Sequence, residues 1–473
     1  MARIWQFASP EGQHDEDLRE SVIKMTGEPR AVVVLGAGKG TRMKSALPKV
    51  LHKIAGRTMI SHALDAASVL KPERTVVVVG PGMDNVAAEV APFDTAIQHG
   101  QSGTADALKA AVPSLKGFDQ GTVIVLFGDS PFITAETLAN MVAAREAGAS
   151  AVVLGFEPAD PTGYGRLVLD DADNLTAIVE HKECTQDQLR IGLCNSGFMA
   201  LDAATALPLL NAITNDNAKG EYYLTDIVSL CVEAGHKCSV IKASEDELLG
   251  VNSRADLARA EKIWQDKRRL EAMDNGVTLT SPESVFFAYD TQLGTDVIIE
   301  PHVVFGPNVT VGNNVTIKAF SHLEGAQVGD GADIGPYARL REGSVIGKGA
   351  RVGNFVETKK CTLGDGAKAN HLSYLGDAEI GARANIGAGT ITCNYDGFLK
   401  SKTWVGEAAF IGSNTSLVAP VSIGDGAITG AGSVITRDVS PDAIAVERGE
   451  QKMRPGAATE YRAAKKALRD AQS

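Results

Sequence analysis

The chain has 473 residues, more than one hydrophobic core usually fills, so two or more domains are expected. Its 44% apolar and 22% charged residues exclude wholesale disorder, and a net charge of −12 excludes a dedicated nucleic-acid binder, which needs a basic footprint to displace counterions from phosphates. No run approaches ~18 consecutive apolar residues, so no membrane span is expected, and six scattered cysteines without a C-x-x-C pair point to reduced thiols in a cytoplasm rather than to a disulfide scaffold or zinc.

Residues 1–30 match neither of the patterns that follow. They carry Glu11, Asp15, Glu16 and Asp17 and no apolar core, which excludes a secretory signal. Met25 stands six residues before the first strand and reads as a natural start, so 1–24 is an extension and 1–30 is expected to lack order. Next, the runs 31–35, 75–79, 122–127 and 151–154 read as buried strands, each followed by a Gly-rich or polar turn. Helical patterns lie between them at 59–70 and 134–147. Strands alternating with helices predict an α/β domain built on a largely parallel sheet covered on both faces. Over 254–275, Leu257, Ala260 and Trp264 recur at helical spacing amid charges, predicting a linker helix capped by Asn252 or Ser253.

From Val297 onward a β-branched or aliphatic residue recurs every sixth position. Val297, Val303, Val309 and Val315 form one series, and Val328, Ile334, Leu340, Ile346 and Val352 a second. Ile380 and Ile386 form a third, and Val405, Ile411, Leu417, Ile423, Thr429 and Ile435 a fourth. Glycine directly follows many of them, as in Ile334-Gly335, Ile346-Gly347 and Ile411-Gly412, which suggests turns needing a permissive φ. This is the hexapeptide signature of a parallel β-helix. The gaps 315–328, 352–380 and 386–405 break the period, and loops are expected to leave the helix there.

Two stretches carry chemistry. After the first strand, Leu35-Gly36-Ala37-Gly38-Lys39-Gly40-Thr41-Arg42-Met43 offers close backbone approach to phosphates, with Lys39, Arg42 and Lys49 as positive charge. It is neither a Walker A loop nor a complete dinucleotide fingerprint. In the β-helix, His371 lies inside a gap of the repeat, and Arg339, Arg341, Lys359 and Asn394-Tyr395 sit on hexad edges or interruptions. A histidine among such cations suits a general base beside a positive pocket. Arg339 and Arg341 share one face of a strand, where ion pairing alone would also account for one of them.

The first stretch resembles the nucleotidyltransferases that activate sugar 1-phosphates, whose loop reads L-x-x-G-x-G-T-R-M…P-K. Gln98, Gly103-Thr104, Phe127-Gly128-Asp129, Gly163-Tyr164-Gly165-Arg166, Val179-Glu180-His181-Lys182, Asn195-Ser196-Gly197, Glu221-Tyr222-Tyr223-Leu224-Thr225-Asp226 and Gly250-Val251-Asn252 follow in the family's order. With a hexapeptide β-helix after them, the chain over roughly 31–450 is similar to the bacterial bifunctional family that joins N-acetylglucosamine-1-phosphate uridyltransferase to glucosamine-1-phosphate N-acetyltransferase. The resemblance implies a Rossmann-like uridyltransferase domain over 31–253, the linker helix, a left-handed β-helix acetyltransferase domain over 276–455, and a tail over 456–473 without a role. It implies UTP and N-acetylglucosamine 1-phosphate bound by Leu35, Gly36, Ala37, Gly38, Lys49, Gln98, Gly103, Thr104, Phe127, Gly128, Asp129, Gly165, Glu180, Asn195 and Asn252. Gln98, Gly103 and Thr104 would read uracil, Gly165, Glu180 and Asn195 the sugar, and Arg42 and Lys49 would screen the phosphates. Asp129 and Asn252 would hold Mg2+.

For acetyl transfer the resemblance implies His371 as general base, with Arg341, Lys359, Tyr374 and Asn385 on glucosamine 1-phosphate. Ala388, Asn394, Tyr395, Ser413, Ala431 and Arg448 are implied at acetyl-CoA. It also implies a cytoplasmic homotrimer with small-molecule substrates. Gly36 and Phe127 depart from the family's usual Ala and Tyr. Two other readings compete: a one-activity sugar-nucleotide pyrophosphorylase whose β-helix serves assembly, and a scaffold with dead sites.

Overall fold

The structure, a computed structural model, describes residues 27–472 apart from 218. Of the expected 1–30 extension, 1–26 with Met25 lie outside the described residues, and Arg30 already belongs to the first strand. The chain divides into two compact units, Met1–Asp266 and Lys267–Ser473.

The first unit is built on a sheet whose strands lie in the order Cys238–Lys242, Ala151–Phe156, Cys194–Asp202, Thr122–Phe127, Arg30–Leu35, Arg74–Val79, Asp94–Ile97. Its neighbours run parallel except at Cys194–Asp202, which is antiparallel to both strands beside it. Alternation along Arg30–Leu35 feeds two cores. Val32 and Val34 pack with Ile60, Leu64 and Leu126, whereas Ala31, Val33 and Leu35 pack with Leu108, Val125 and Met199. Helices Met59–Ser68 and Ala135–Glu146 begin at Thr58 and Thr134, whose side chains accept from the amides of Ser61 and Thr137. The first of these was expected to reach residue 70, but it ends at Ser68 because Pro72 forbids its continuation and the chain tightens through Leu70 N→Ala67 O and Lys71 N→Ser68 O bonds. The chain adds strands to one side of Arg30–Leu35 and then crosses to the other. This reversal opens a crevice at the strand ends, where open α/β sheets bind ligands.

The second unit is a left-handed parallel β-helix of hexapeptide repeats, with every strand pair parallel. Each hexad residue named above is buried, from Val297 to Ile435, and residues two further on, such as Ile299, Phe305, Val311 and Ile317, also point inward. The residue before each inward valine turns the corner: Asp296, His302, Asn308 and Asn314 have φ of 56°, 61°, 60° and 56°.

Two expectations need correction. The glycine directly after a hexad residue mostly serves rung stacking rather than φ. A Cβ on Gly347 would lie 2.6 Å from Asp365 N, and one on Gly412 would lie 2.4 Å from Ala431 N. The gaps 315–328 and 352–380 send out no loop. Left-handed corners there fall five residues apart, at Phe320 and Gly325, Phe355 and Lys360, and Leu372 and Asp377. Rungs therefore shorten by one: Asp333 pairs with Arg351 18 residues on, but Arg351 pairs with Lys368 and Lys368 with Asn385, each 17 on. At two of these places one strand runs through the corner residue, Glu357–Leu363 and Tyr374–Ile380. The surplus in 386–405 does leave the helix, since Asn385 pairs with Phe410 25 residues on. Helix Ala457–Gln472 closes the described chain with no buried side chain.

Candidate functional sites

In the first unit, the ends of Arg30–Leu35 and Thr122–Phe127 set the first cluster. Gly128 N donates to Leu35 O at 3.0 Å, and Val251 N donates to Asp129 O at 3.0 Å, which draws the 250–252 loop onto Asp129. Lys49 Nζ then donates to the Asp129 carboxylate and, at 3.0 Å, to Asn252 Oδ1. A Cβ on Gly40 would lie 2.7 Å from Lys49 Cβ, so the glycine lets the loop over Leu35–Gly38 fold against Lys49. Two oxygens thus face one cationic point beside the phosphate-type loop. A hard, oxygen-only pair of this kind fits Mg2+, which takes its remaining ligands from phosphates and water. Arg42 is exposed and makes no hydrogen bond or ion pair among the described residues.

The second cluster follows Asp94–Ile97. Gln98 Nε2 donates to Gly103 O at 2.9 Å and to Asp106 Oδ2 at 2.8 Å. Gly103 sits at φ 114°, where a Cβ would lie 2.4 Å from Tyr222 O. Thr104 Oγ1 accepts from Leu224 N at 2.9 Å, so the Tyr222–Leu224 segment is stitched to this loop. Gln101 Nε2 donates to Ala37 O at 2.8 Å, joining this cluster to the first.

The third cluster rests on a register shift in Cys194–Asp202 between Asn195 and Met199. Asn195 N donates to Gly165 O at 2.9 Å, and Glu180 follows Val179, the partner of Arg166. Burial raises the Glu180 carboxyl above its usual range; Lys219 opposes this, while Glu183 and Asp226 add to it. Phe127, the departure from Tyr, lays its ring on Gly197, where a Cβ would lie 2.8 Å away. Arg166 is 1% exposed and spent on its own loop, donating to Pro161 O at 2.8 Å.

In the β-helix, strand register gathers residues that the linear sequence scatters. His371 pairs with Asn354 one rung before it, and its Nδ1 lies 2.7 Å from Asn354 Oδ1. One corner column then continues through Gly389 N→His371 O, Asn414 N→Ala388 O, Gly432 N→Ser413 O and Arg448 Nη1→Ala431 O bonds. His371, Ala388, Ser413, Ala431 and Arg448 therefore stack on successive rungs. On the adjoining face Arg341 Nη1 lies 2.7 Å from Glu357 Oε1, and Arg339 pairs with the same carboxylate at 3.8 Å. Glu357 pairs with Tyr374, and Lys359 with Gly376. A Cβ on Gly376 would lie 2.4 Å from the Tyr374 hydroxyl, so that ring folds over the Lys359 neighbour. Asn385 lies on the other sheet, in register with Lys368, without a side-chain bond to this group among the described residues. In the emergent loop, Asn394 Nδ2 donates to Asp377 Oδ2 at 2.5 Å, and Tyr395 is exposed.

Asn354, Glu357, Asp377, Gln101 and Asp106 were not singled out from the sequence. The first is separated from its partner by 17 residues, a spacing that becomes meaningful only once the shortened rung is known.

Fold and sites define a two-part transferase: a nucleotidyltransferase unit followed by a hexapeptide acyltransferase unit. Residues 32–190 match the family model of the MobA-like NTP transferase domain, and 290–325 and 402–437 match the bacterial transferase hexapeptide (six repeats). A Paramagnetospirillum magneticum protein named bifunctional protein GlmU is 56% identical over 451 residues, spanning 94% of this chain and 100% of that relative. One of the same name from Rhodospirillum rubrum is 58% identical over 435 residues, spanning 92% of this chain and 97% of the relative. The chain belongs to the bifunctional GlmU family. No described helix is long and apolar enough to cross a membrane.

Proposed function

We propose that this chain makes UDP-N-acetylglucosamine in two steps, one in each unit, and so supplies precursors of peptidoglycan and lipopolysaccharide. The observation that carries the reading is that each unit concentrates its own chemistry: Lys49 bridges Asp129 and Asn252 in one, and His371 heads a column of small and basic residues in the other.

In the β-helix, glucosamine 1-phosphate is held by Arg341, Lys359 and Tyr374, with Asn385 contributing from the neighbouring sheet. Asn354 Oδ1 holds the proton on His371 Nδ1, which leaves Nε2 as the acceptor. Nε2 takes a proton from the amine as its nitrogen attacks the thioester carbonyl, the C–S bond breaks, and coenzyme A leaves as the thiolate to be protonated. The acetyl-CoA chain lies along Ala388, Ser413 and Ala431, with Arg448 on its phosphates and Asn394 and Tyr395 closing the site.

In the α/β unit, a phosphate oxygen of N-acetylglucosamine 1-phosphate attacks the α-phosphorus of UTP, and the bond to pyrophosphate breaks. Lys49 and Arg42 counter the charge gathering on the phosphates. Gln98, Gly103 and Thr104 hold uracil, and Gly165, Glu180 and Asn195 hold the sugar. The amides of Ala37 and Gly38 face the triphosphate, with Leu35, Gly36, Phe127 and Gly128 beneath them and the Gly36 amide spent on Val78 O. Mg2+ held by Asp129 and Asn252 would neutralise phosphate charge and orient the triphosphate.

On this reading the uridyltransferase domain spans 31–253, the linker 254–275 and the acetyltransferase domain 276–455. Three copies assemble into a homotrimer in a cytoplasm, whose reducing conditions suit six free cysteines. The test incubates the purified chain with glucosamine 1-phosphate, acetyl-CoA, UTP and Mg2+, omitting each in turn, with products identified by mass spectrometry. The full mixture should yield UDP-N-acetylglucosamine, and omission of acetyl-CoA should abolish it. Sugar nucleotide formed from N-acetylglucosamine 1-phosphate without any acetylation of glucosamine 1-phosphate would instead support the one-activity pyrophosphorylase.

A further inference from the structure

The amide of Gln98 is held in one orientation by chemistry alone. Its Nε2 lies between Gly103 O at 2.9 Å and Asp106 Oδ2 at 2.8 Å. A carbonyl and a carboxylate both accept and neither donates, so the group between them must be the NH2. Gln98 Oε1 is thereby fixed on the opposite side. The residue is 5% exposed, yet Oε1 takes no hydrogen bond from any described residue and is not sealed from solvent. It is an unspent acceptor at the Gln98–Asp106 loop. The Gly103 carbonyl alone would leave the amide loosely held; the charged oxygen of Asp106 adds a bond about twice as strong. Asp106 stands in the first turn of helix Thr104–Ala111 and also accepts from Ser102 N at 3.0 Å, so its own position is fixed.

We infer that Asp106 is a positioning residue for nucleobase choice: by holding the Gln98 amide with its oxygen outward, it selects a pyrimidine that donates from its ring nitrogen. Uracil carries N3–H and meets this oxygen with a hydrogen bond. Cytosine carries a bare N3, and two acceptors would face each other with the buried group left unpaired. The inference rests on the assignment of Gln98 to the base. Asp106 touches no reacting atom and acts only through Gln98.

Asp106→Ala tests it, because only the Gly103 carbonyl then holds Nε2 and the amide is free to turn over, whereas in Asp106→Asn the oxygen pinned by Ser102 N would still hold it. The measurement is kcat/KM for UTP and for CTP with N-acetylglucosamine 1-phosphate, in the parent and variant full-length chains. The ratio is unaffected by a misfolded fraction, which lowers both values equally. We expect the UTP preference to fall at least tenfold in the variant, through KM, with kcat for UTP little changed. Equal losses for both nucleotides, or an unchanged ratio in a variant whose parent prefers UTP, overturn the inference alone. A parent without preference for UTP overturns both the inference and the function it rests on.

Discussion

Gly103 shows at the level of one residue how much a motif can hide. The Gly-Thr pair was legible from its place after Gln98, but its cause is the carbonyl of Tyr222, more than a hundred positions away, which leaves no room for a Cβ. Gly103→Ala should therefore displace the Tyr222–Leu224 stitch and lower kcat/KM for uridylyl transfer at least tenfold, with acetyl transfer unchanged; two substrate-saturation series on one preparation check this. Glu180 gives a pH prediction. Burial raises its carboxyl above the unfolded value, so the folded chain holds a proton over an interval in which the unfolded chain has lost it. Its stabilising contribution is complete below the ordinary carboxylate range and is lost as pH rises through the raised value. Glu180→Gln should thus gain melting temperature relative to the parent as pH rises from about 4 to 7. A constant difference would contradict the assignment.

At the scale of elements, the six-residue period announced the β-helix because its inward positions are apolar whatever the surrounding residues are. The shortened rungs were not legible, since a corner lost from the repeat and a loop added to it both read as a broken period. The glycines separate into two kinds for the same reason. Gly347 has no room for a Cβ against the Asp365 backbone, whereas Gly349 has open space and a φ of 62°. Gly347→Ala should cost about 3 kcal/mol through overpacking, and Gly349→Ala only about 1–2 kcal/mol through the left-handed backbone. Denaturant midpoints followed by circular dichroism would rank them, and the reverse order would refute the stacking role. The antiparallel strand Cys194–Asp202 also escaped prediction, because Asn195-Ser196-Gly197 interrupt its apolar run where the register shifts.

For the whole molecule, the two-part plan was legible in the sequence, and the structure gives a reason the two chemistries can be separated: the residues of each described cluster belong to one unit. One surface feature bears on assembly. His302, Phe320, Tyr337 and Phe355 stack along one corner at centroid distances of 4.9, 4.9 and 5.2 Å, with Phe320, Tyr337 and Phe355 49%, 47% and 56% exposed. A contiguous apolar strip of this kind fits burial against another copy. Sedimentation should give three times the chain mass, and Phe355→Asp should lower it; a parent that sediments as a monomer would contradict the trimer. The most direct test of the central claim, two independent active centres on one chain, compares His371→Ala and Asp129→Ala in paired assays. His371→Ala should lose acetyl transfer by at least ~10²-fold while pyrophosphate release from UTP and N-acetylglucosamine 1-phosphate persists, and Asp129→Ala should do the reverse. Parallel loss of both activities in either variant would contradict it.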